Sequence, residues 1–186
     1  MENATNHIKL RQPRKTFNII RSVREIEAYT PDLPEDGECY KYISTGGFSA
    51  ISFIRFVASQ TVINHLLVTT LRVGKKELRE LDRLYRIGDL DRCTIITSGL
   101  MKDDSKLAKS YGYYDNLVKV CDKNKWELKS VKNHSKLLLM DTDNGKFVIE
   151  TSSNLNENPK IEQFSFEKSD ELFDFYFDVI NDVMLC

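Results

Sequence analysis

The order of apolar and polar residues divides the chain into alternating elements. ECYKYIS, residues 38–44, reads as a strand that ends in the turn Gly46-Gly47. FSAISFIRFVASQ then places Ile51, Phe53, Ile54 and Val57 on one side, which predicts a helix. HLLVTTLRV, residues 65–73, is a buried strand by its length and β-branched content. KKELRELDRLYRIG is an amphipathic helix with Leu78, Leu81 and Leu84 inward and Gly88 as its stop. CTIITSGL reads as a third strand, and SKLAKSYGYYDNLVKVCDKN as a helix weakened at Gly112. WELKSVK and KLLLMDT predict two more strands. Asp143-Asn144-Gly145 is a tight turn, with Asn-Gly suited to positive φ at both central positions. KFVIETS returns as the next strand, IEQFSFE follows as another, and SDELFDFYFDVINDVML closes as a helix capped by Ser169. The alternation predicts an α/β fold, a mixed β-sheet flanked by helices on both faces.

Composition narrows the class without naming a function. The chain has 186 residues, 41% hydrophobic and 30% charged, which suits one globular domain with a real core. Its net charge of −1 gives no global basic field. The charge is uneven, however. Lys9, Arg11, Arg14, Lys15, Arg21 and Arg24 make the beginning basic, and acidic residues from Glu162 to Asp182 dominate the end. Residues 1–15 read as a basic N-terminal arm and 16–186 as the domain. Such an arm suits contact with a phosphate backbone or a solvated start equally. Cys39, Cys93, Cys121 and Cys186 form no C-x-x-C pair and lie at no metal-ligand spacing, so reduced thiols in a cytoplasmic protein are expected. No signal peptide is expected, and no window reaches the roughly 18–20 apolar residues of a membrane span. Membrane insertion is therefore not expected.

Several strands end in small polar residues: Ser44-Thr45-Gly46-Gly47, Thr69-Thr70, Thr97-Ser98-Gly99 and Thr151-Ser152-Ser153-Asn154. Strand ends of this kind line ligand crevices in open α/β sheets. Ser, Thr and Gly also simply start turns. Likewise STGGFS suits a phosphate cradle at a helix N-terminus or a plain strand-to-helix turn. DTDNG is no calcium loop, because its Gly falls one place early and its surroundings read as β.

His134, Lys136 and Asp141 spell H-x-K-x-x-x-x-D, and Ser152 and Asn154 follow across the hairpin. On an extended chain His134 and Lys136 share the face of Leu138 and Met140, while Leu137 and Leu139 pack on the other. Strict alternation puts Asp141 on the opposite face from His134, at the end of the strand.

This spacing resembles the HKD signature of the phospholipase D superfamily, H-x-K-x4-D followed by G-S-x-N and a later Glu. Glu162 is the candidate for that acid, with Glu157 as the alternative. Thr151 stands in the place of the usual Gly, and the hairpin is a few residues longer than the family pattern. The resemblance spans Asn133 to about Glu162 and implies a phospholipase D-like half-domain. It implies a metal-independent phosphodiesterase without a cofactor, in which His134 attacks phosphorus, Lys136, Ser152 and Asn154 meet the phosphoryl charge, and Glu162 holds the imidazole in its tautomer. Asp141 would organise the strand end or the lysine. The family takes its second His from a second motif. His7 and His65 lack the H-x-K context, so the resemblance implies a homodimer with a shared site. The expected activity is that of a nuclease with nucleic acid as partner. A phospholipid phosphodiesterase and a catalytically inactive nucleic-acid-binding module are the alternatives.

Overall fold

The computed structural model describes residues 15–20, 23–29, 32–106 and 113–185. In chain order the elements are β1 (Lys15–Ile20), α1 (Val23–Tyr29), β2 (Cys39–Ser44), α2 (Ile51–Ala58), β3 (Ile63–Thr70), α3 (Lys75–Ile87) and β4 (Leu90–Ser98). Then come α4 (Gly99–Lys106), α5 (Tyr113–Asn124), β5 (Glu127–Val131), β6 (Leu137–Thr142), β7 (Gly145–Thr151), β8 (Glu162–Lys168) and α6 (Asp170–Leu185).

The eight strands form one mixed sheet in the order β1-β2-β8-β7-β6-β3-β4-β5. The flanking pairs are parallel, β1 with β2, β3 with β4 and β4 with β5. The central pairs from β2 through β8, β7 and β6 to β3 are antiparallel. Parallel neighbours need a crossover, and α3 supplies the one between β3 and β4.

Period-two alternation sends successive residues to opposite layers. Leu66, Val68, Leu138, Met140, Phe147, Ile149, Phe164 and Phe166 join the larger core, with Ile26 of α1, Phe53 of α2, Leu81 of α3 and Leu117 of α5. Leu67, Ile96, Leu139 and Val148 face the other way and meet Phe173 of α6. Helices therefore cover both faces, as the alternation predicts, but among the described residues only α6 covers the second face. It lies over part of the sheet, and Phe17, Ile19 and Ile43 of β1 and β2 stay exposed.

Local chemistry explains most boundaries. Gly88 ends α3 in the left-handed region at φ 86°, where a Cβ is penalised. The Ser169 hydroxyl accepts the Leu172 N–H at 3.1 Å and caps α6.

Four expectations are corrected. Lys15–Ile20 is a strand and Val23–Tyr29 a helix, where the sequence pattern showed only a basic start. The third strand ends at Ser98, and α4 begins at Gly99. Of the helix expected over 105–124, Ser105 and Lys106 belong to α4 and Tyr113–Asn124 is α5, while residues 107–112, including Gly112, lie outside the described residues. In the hairpin only Gly145 has positive φ, at 114°, and it is the first residue of β7. Asp143 and Asn144 make the connection, so Asn144 needs no left-handed backbone.

Cys93 and Cys121 are buried free thiols and Cys39 is half-buried. Burial pushes the Cys93 thiol well up and takes Cys121 to about 12, so neither is a nucleophile at neutral pH. Cys186 lies outside the described residues. Among the described residues no helix is long and apolar enough to cross a membrane.

Candidate active site

The strand directions bring one set of termini to a single edge. The last residues of β2, β3, β4 and β7 lie there, with the first residues of β6 and β8. Ser44, Thr70, Ser98, Thr151, Leu137 and Glu162 thus share that edge. Many of its hydroxyls are spent on holding loops. Thr70 Oγ1 donates to the Arg72 carbonyl at 2.9 Å and accepts the Leu155 N–H at 3.0 Å. Thr151 Oγ1 accepts the Ser153 N–H at 2.9 Å, and Ser98 Oγ the Leu100 N–H at 3.3 Å. Gly46 and Gly47 both have positive φ, 108° and 69°. The Gly47 N–H donates to the Asn158 carbonyl at 2.9 Å, so this turn spends a donor on a neighbouring loop.

His134 stands just before β6, in the connection from β5, so the segment 133–136 is not itself strand. Its neighbours fix the backbone. The Asn133 carboxamide donates to the carbonyls of Thr70 and Ile96 at 3.3 and 3.4 Å, which ties the connection to the ends of β3 and β4. Asn133 Oδ1 accepts the Ser135 N–H at 2.9 Å, and Ser135 Oγ lies 2.8 Å from Thr69 Oγ1. The His134 side chain is exposed, and among the described residues no hydrogen bond reaches its ring.

Lys136 is half-buried, and its ammonium donates to the His134 carbonyl at 2.7 Å. The Lys136 carbonyl accepts the Thr151 N–H at 3.2 Å. The arm carrying Ser152 and Asn154 therefore begins beside the arm carrying His134. Asn154 Oδ1 accepts the Leu71 N–H at 3.2 Å, an orientation that leaves its amide hydrogens as donors.

Glu162 is buried and opens β8. Ser152 Oγ donates to Glu162 Oε2, and the Asn158 carboxamide donates to Oε1. Ser152 Oγ also accepts the Gln163 N–H at 3.1 Å. The Ser152 proton is thus committed to Glu162, and Glu162 is held by Ser152 and Asn158, with no hydrogen bond to His134. Glu157, the alternative acid, is exposed and paired with Lys76 at 2.9 Å.

Asp141 lies elsewhere. It sits beside the hairpin, opposite Lys146 on β7 and His65 on β3. At about 3.3 Å per residue it is roughly 16 Å along the strand from Lys136. The edge thus gathers His134, Lys136, Ser152, Asn154 and Glu162 and leaves Asp141 out. His65 shares Asp141's end. It is buried, its Nε2 is 2.9 Å from Thr94 Oγ1, and it meets the Phe177 ring edge-on. Burial first, then Arg92, lower its pKa. His7 lies outside the described residues. Among the described residues His134 is the one imidazole at the edge.

Motif spacing did not point to Asn133, Ser135 or Asn158. Asn–x–Ser around a loop His is a local turn signal that was there to be read. Asn158 carries the same local signal, its Oδ1 accepting the Lys160 N–H two residues on, and its carboxamide reaches Glu162 four residues on. Beside the site a groove of about 690 Å³ runs over the bare half-sheet, lined by Phe17, Lys41, Ile43, Glu150, Thr151 and Gln163 among others.

Chemically, the edge offers an unengaged imidazole, a cation within two residues of it, carboxamide hydrogens and a buried carboxylate. These suit the capture of an anionic, tetrahedral group.

No family model matches the sequence, and no curated protein does. Among solved structures, the chain is similar to the crystal structure of phosphatidylserine synthase from Haemophilus influenzae Rd KW20. The TM-score is 0.55 at 14% identity, over 87% of this chain and 43% of that one. It is also similar to TrmBL2, an archaeal chromatin protein described with a novel mode of DNA binding. There the TM-score is 0.45 at 12% identity, over 87% of this chain and 59% of that one. This chain therefore spans less than half of the synthase. The likeness to the synthase is one of fold, and the chain has a mixed α/β, phospholipase D-like fold with one eight-stranded sheet.

Proposed function

We propose that the protein is a metal-independent phosphodiesterase, a nuclease that works as a homodimer through a phosphohistidine intermediate. One observation supports the reading: an exposed His134, the Lys136 ammonium and the Asn154 carboxamide lie along one sheet edge, although a whole hairpin separates Asn154 from the other two in sequence.

In this mechanism a neutral His134 ring nitrogen attacks phosphorus, and the bond from phosphorus to the leaving oxygen breaks. Lys136 and the Asn154 amide stabilise charge on the non-bridging oxygens as it develops. The leaving oxygen takes a proton from the His134 of the partner subunit. That imidazole then removes a proton from water, which attacks the phosphohistidine and frees His134. The need for a second imidazole supports the dimer, since His65 lies at the far end of the sheet.

Nucleic acid is favoured over other phosphodiesters by the basic run from Lys9 to Arg24. A phospholipid is the second reading, favoured by the exposed Phe17 and Ile43 in the groove beside Thr151. The test is hydrolysis of single- and double-stranded DNA, RNA, phospholipid vesicles and bis-nitrophenyl phosphate in excess EDTA, with His134→Ala as control. Cleavage of nucleic acid that persists in EDTA and vanishes in the variant supports the nuclease. Turnover of vesicles alone transfers the reading to lipid. Binding of nucleic acid without turnover of any substrate makes the protein a binding module. Loss of activity on chelation removes the mechanism.

A further inference from the structure

We infer that Asn158 is a positioning residue of this site, which aims the Glu162 carboxylate and is itself held by the Gly46-Gly47 turn. The inference rests on the reading of His134 as nucleophile and names the group that keeps its acid partner in place.

Three observations converge. First, Glu162 is buried, and its two oxygens have separate donors, Asn158 on Oε1 and Ser152 on Oε2. A carboxylate oxygen accepts two hydrogen bonds, so each keeps a lone pair for an imidazole N–H. Two donors on opposite oxygens remove the freedom of the carboxylate to rotate. The acceptor is then set before any substrate arrives.

Second, Asn158 has its other groups occupied. Its carbonyl accepts the Gly47 N–H at 2.9 Å, its Oδ1 accepts the Lys160 N–H at 3.1 Å, and its backbone pairs with Phe48. With Oδ1 taken, only the carboxamide nitrogen is left to face Glu162. The amide therefore cannot flip without losing both bonds.

Third, the turn that holds Asn158 has no slack. A Cβ at Gly46 would lie 2.4 Å from the Pro159 carbonyl oxygen, and φ there is 108°. Only glycine lets the two backbones approach this closely. The loop after β2 is thereby locked to the loop before β8. His134 precedes β6 and Glu162 opens β8, and those two strands, with β7 alone between them, run about 10 Å apart. Side chains span that gap only if the carboxylate points along it.

The test uses Asn158→Ala, Asn158→Asp and Asn158→Asp with Glu162→Gln, in the full chain, with bis-nitrophenyl phosphate as substrate. Asn158→Ala should lower kcat by about 10²-fold, the scale of a roughly 1 Å misplacement, with KM unchanged within about twofold. Asn158→Asp should lower the melting temperature, because it sets one carboxylate against another. Adding Glu162→Gln should restore the melting temperature by reversing donor and acceptor, while kcat stays low. In the nitrogen-proton NMR spectrum, the Asn158 side-chain amide should exchange slowly in the wild type and fast in Glu162→Ala. A wild-type kcat in Asn158→Ala, or a loss expressed in KM alone, would overturn the positioning role. A wild type that cleaves no phosphodiester would overturn the proposed function. The clamp would then be judged by the amide exchange and the double-variant melt, and fast exchange in the wild type would refute it.

Discussion

Thr151 donates its backbone N–H to the Lys136 carbonyl at 3.2 Å, one step beyond the last paired residues of β6 and β7. This bond joins the two halves of the polar signature. It lies where the phospholipase D signature that the sequence resembles carries glycine, and the Thr151 hydroxyl accepts the Ser153 N–H. A side chain at this turn is compatible with the ordered placement of Ser152 and Asn154.

Replacement of His134 by Ala should abolish turnover, a loss of at least about 10²–10⁴-fold. The side chain is exposed and its ring has no hydrogen bond among the described residues, so stability should change by less than about 0.5 kcal/mol. Hydrolysis rate and thermal melting, measured on the same preparation, check both halves. A large fall in melting temperature would assign His134 to the fold.

Lys136→Ala should reduce kcat by about 10²–10³-fold, the scale of removing one charge-stabilising donor. Asp141→Asn should leave kcat within about twofold, because its backbone is remote from the edge. Steady-state kinetics on the two variants separate these roles. An equal loss in both would mean that Asp141 acts in the site.

His65 couples stability to pH. Its folded pKa is lowered, mainly by burial, so the unfolded chain binds its proton more readily. The stability from neutral His65 is full above its unfolded value near 6.5 and is lost as pH falls through the lower folded pKa. Melting temperature should drop as pH falls below about 6.5. His65→Leu should flatten that slope, although other groups keep some of it. Asp141 raises the His65 pKa, so Asp141→Asn should move the proton NMR titration of His65 further down.

Phe173 is 4% exposed and sits between α6 and the second face of the sheet. Phe173→Ala should cost about 3–5 kcal/mol, read from urea unfolding. A cost below about 1 kcal/mol would show that α6 is not docked there.

The thiols should react in an order set by burial. With Cys186 replaced by Ser, Cys39 should label first with a thiol reagent in the native protein. Cys93 and Cys121, with pKa values raised by burial, should label only on unfolding. Rapid labelling of all three without denaturant would contradict the packing.

The parts of the fold that were legible are those with a local cause. Leu138, Leu139 and Met140 alternate between two cores, and that requires a central strand. Gly88 and Ser169 mark helix ends by their own chemistry. β1 was not legible, because Phe17 and Ile19 are exposed and its pairing is with β2, across a helix and a loop. α4 was hidden by the apolar residues Leu100 and Met101, which extended the strand pattern past Ser98. The candidate site divides the same way. His134, Lys136, Ser152 and Asn154 are recognisable by spacing. Asn133 reaches Thr70 across 63 positions of sequence, and the Asn158 backbone is held by Gly47 from the loop after β2. Such bonds leave no periodicity to read.

The position of β8 has a consequence for how the molecule is made. Of all the strands it comes last in sequence, yet it lies between β2 and β7 and alone joins the β1–β2 pair to the rest. Cys39 and Ser165, in contact across that join, are 126 positions apart. Contacts this distant close slowly, since the loop entropy must be met before the pairing is gained. A chain still emerging from the ribosome holds β1 and β2 as an orphan ribbon until β8 arrives. Glu162 opens that same strand, so the candidate site and the sheet are completed in a single late event.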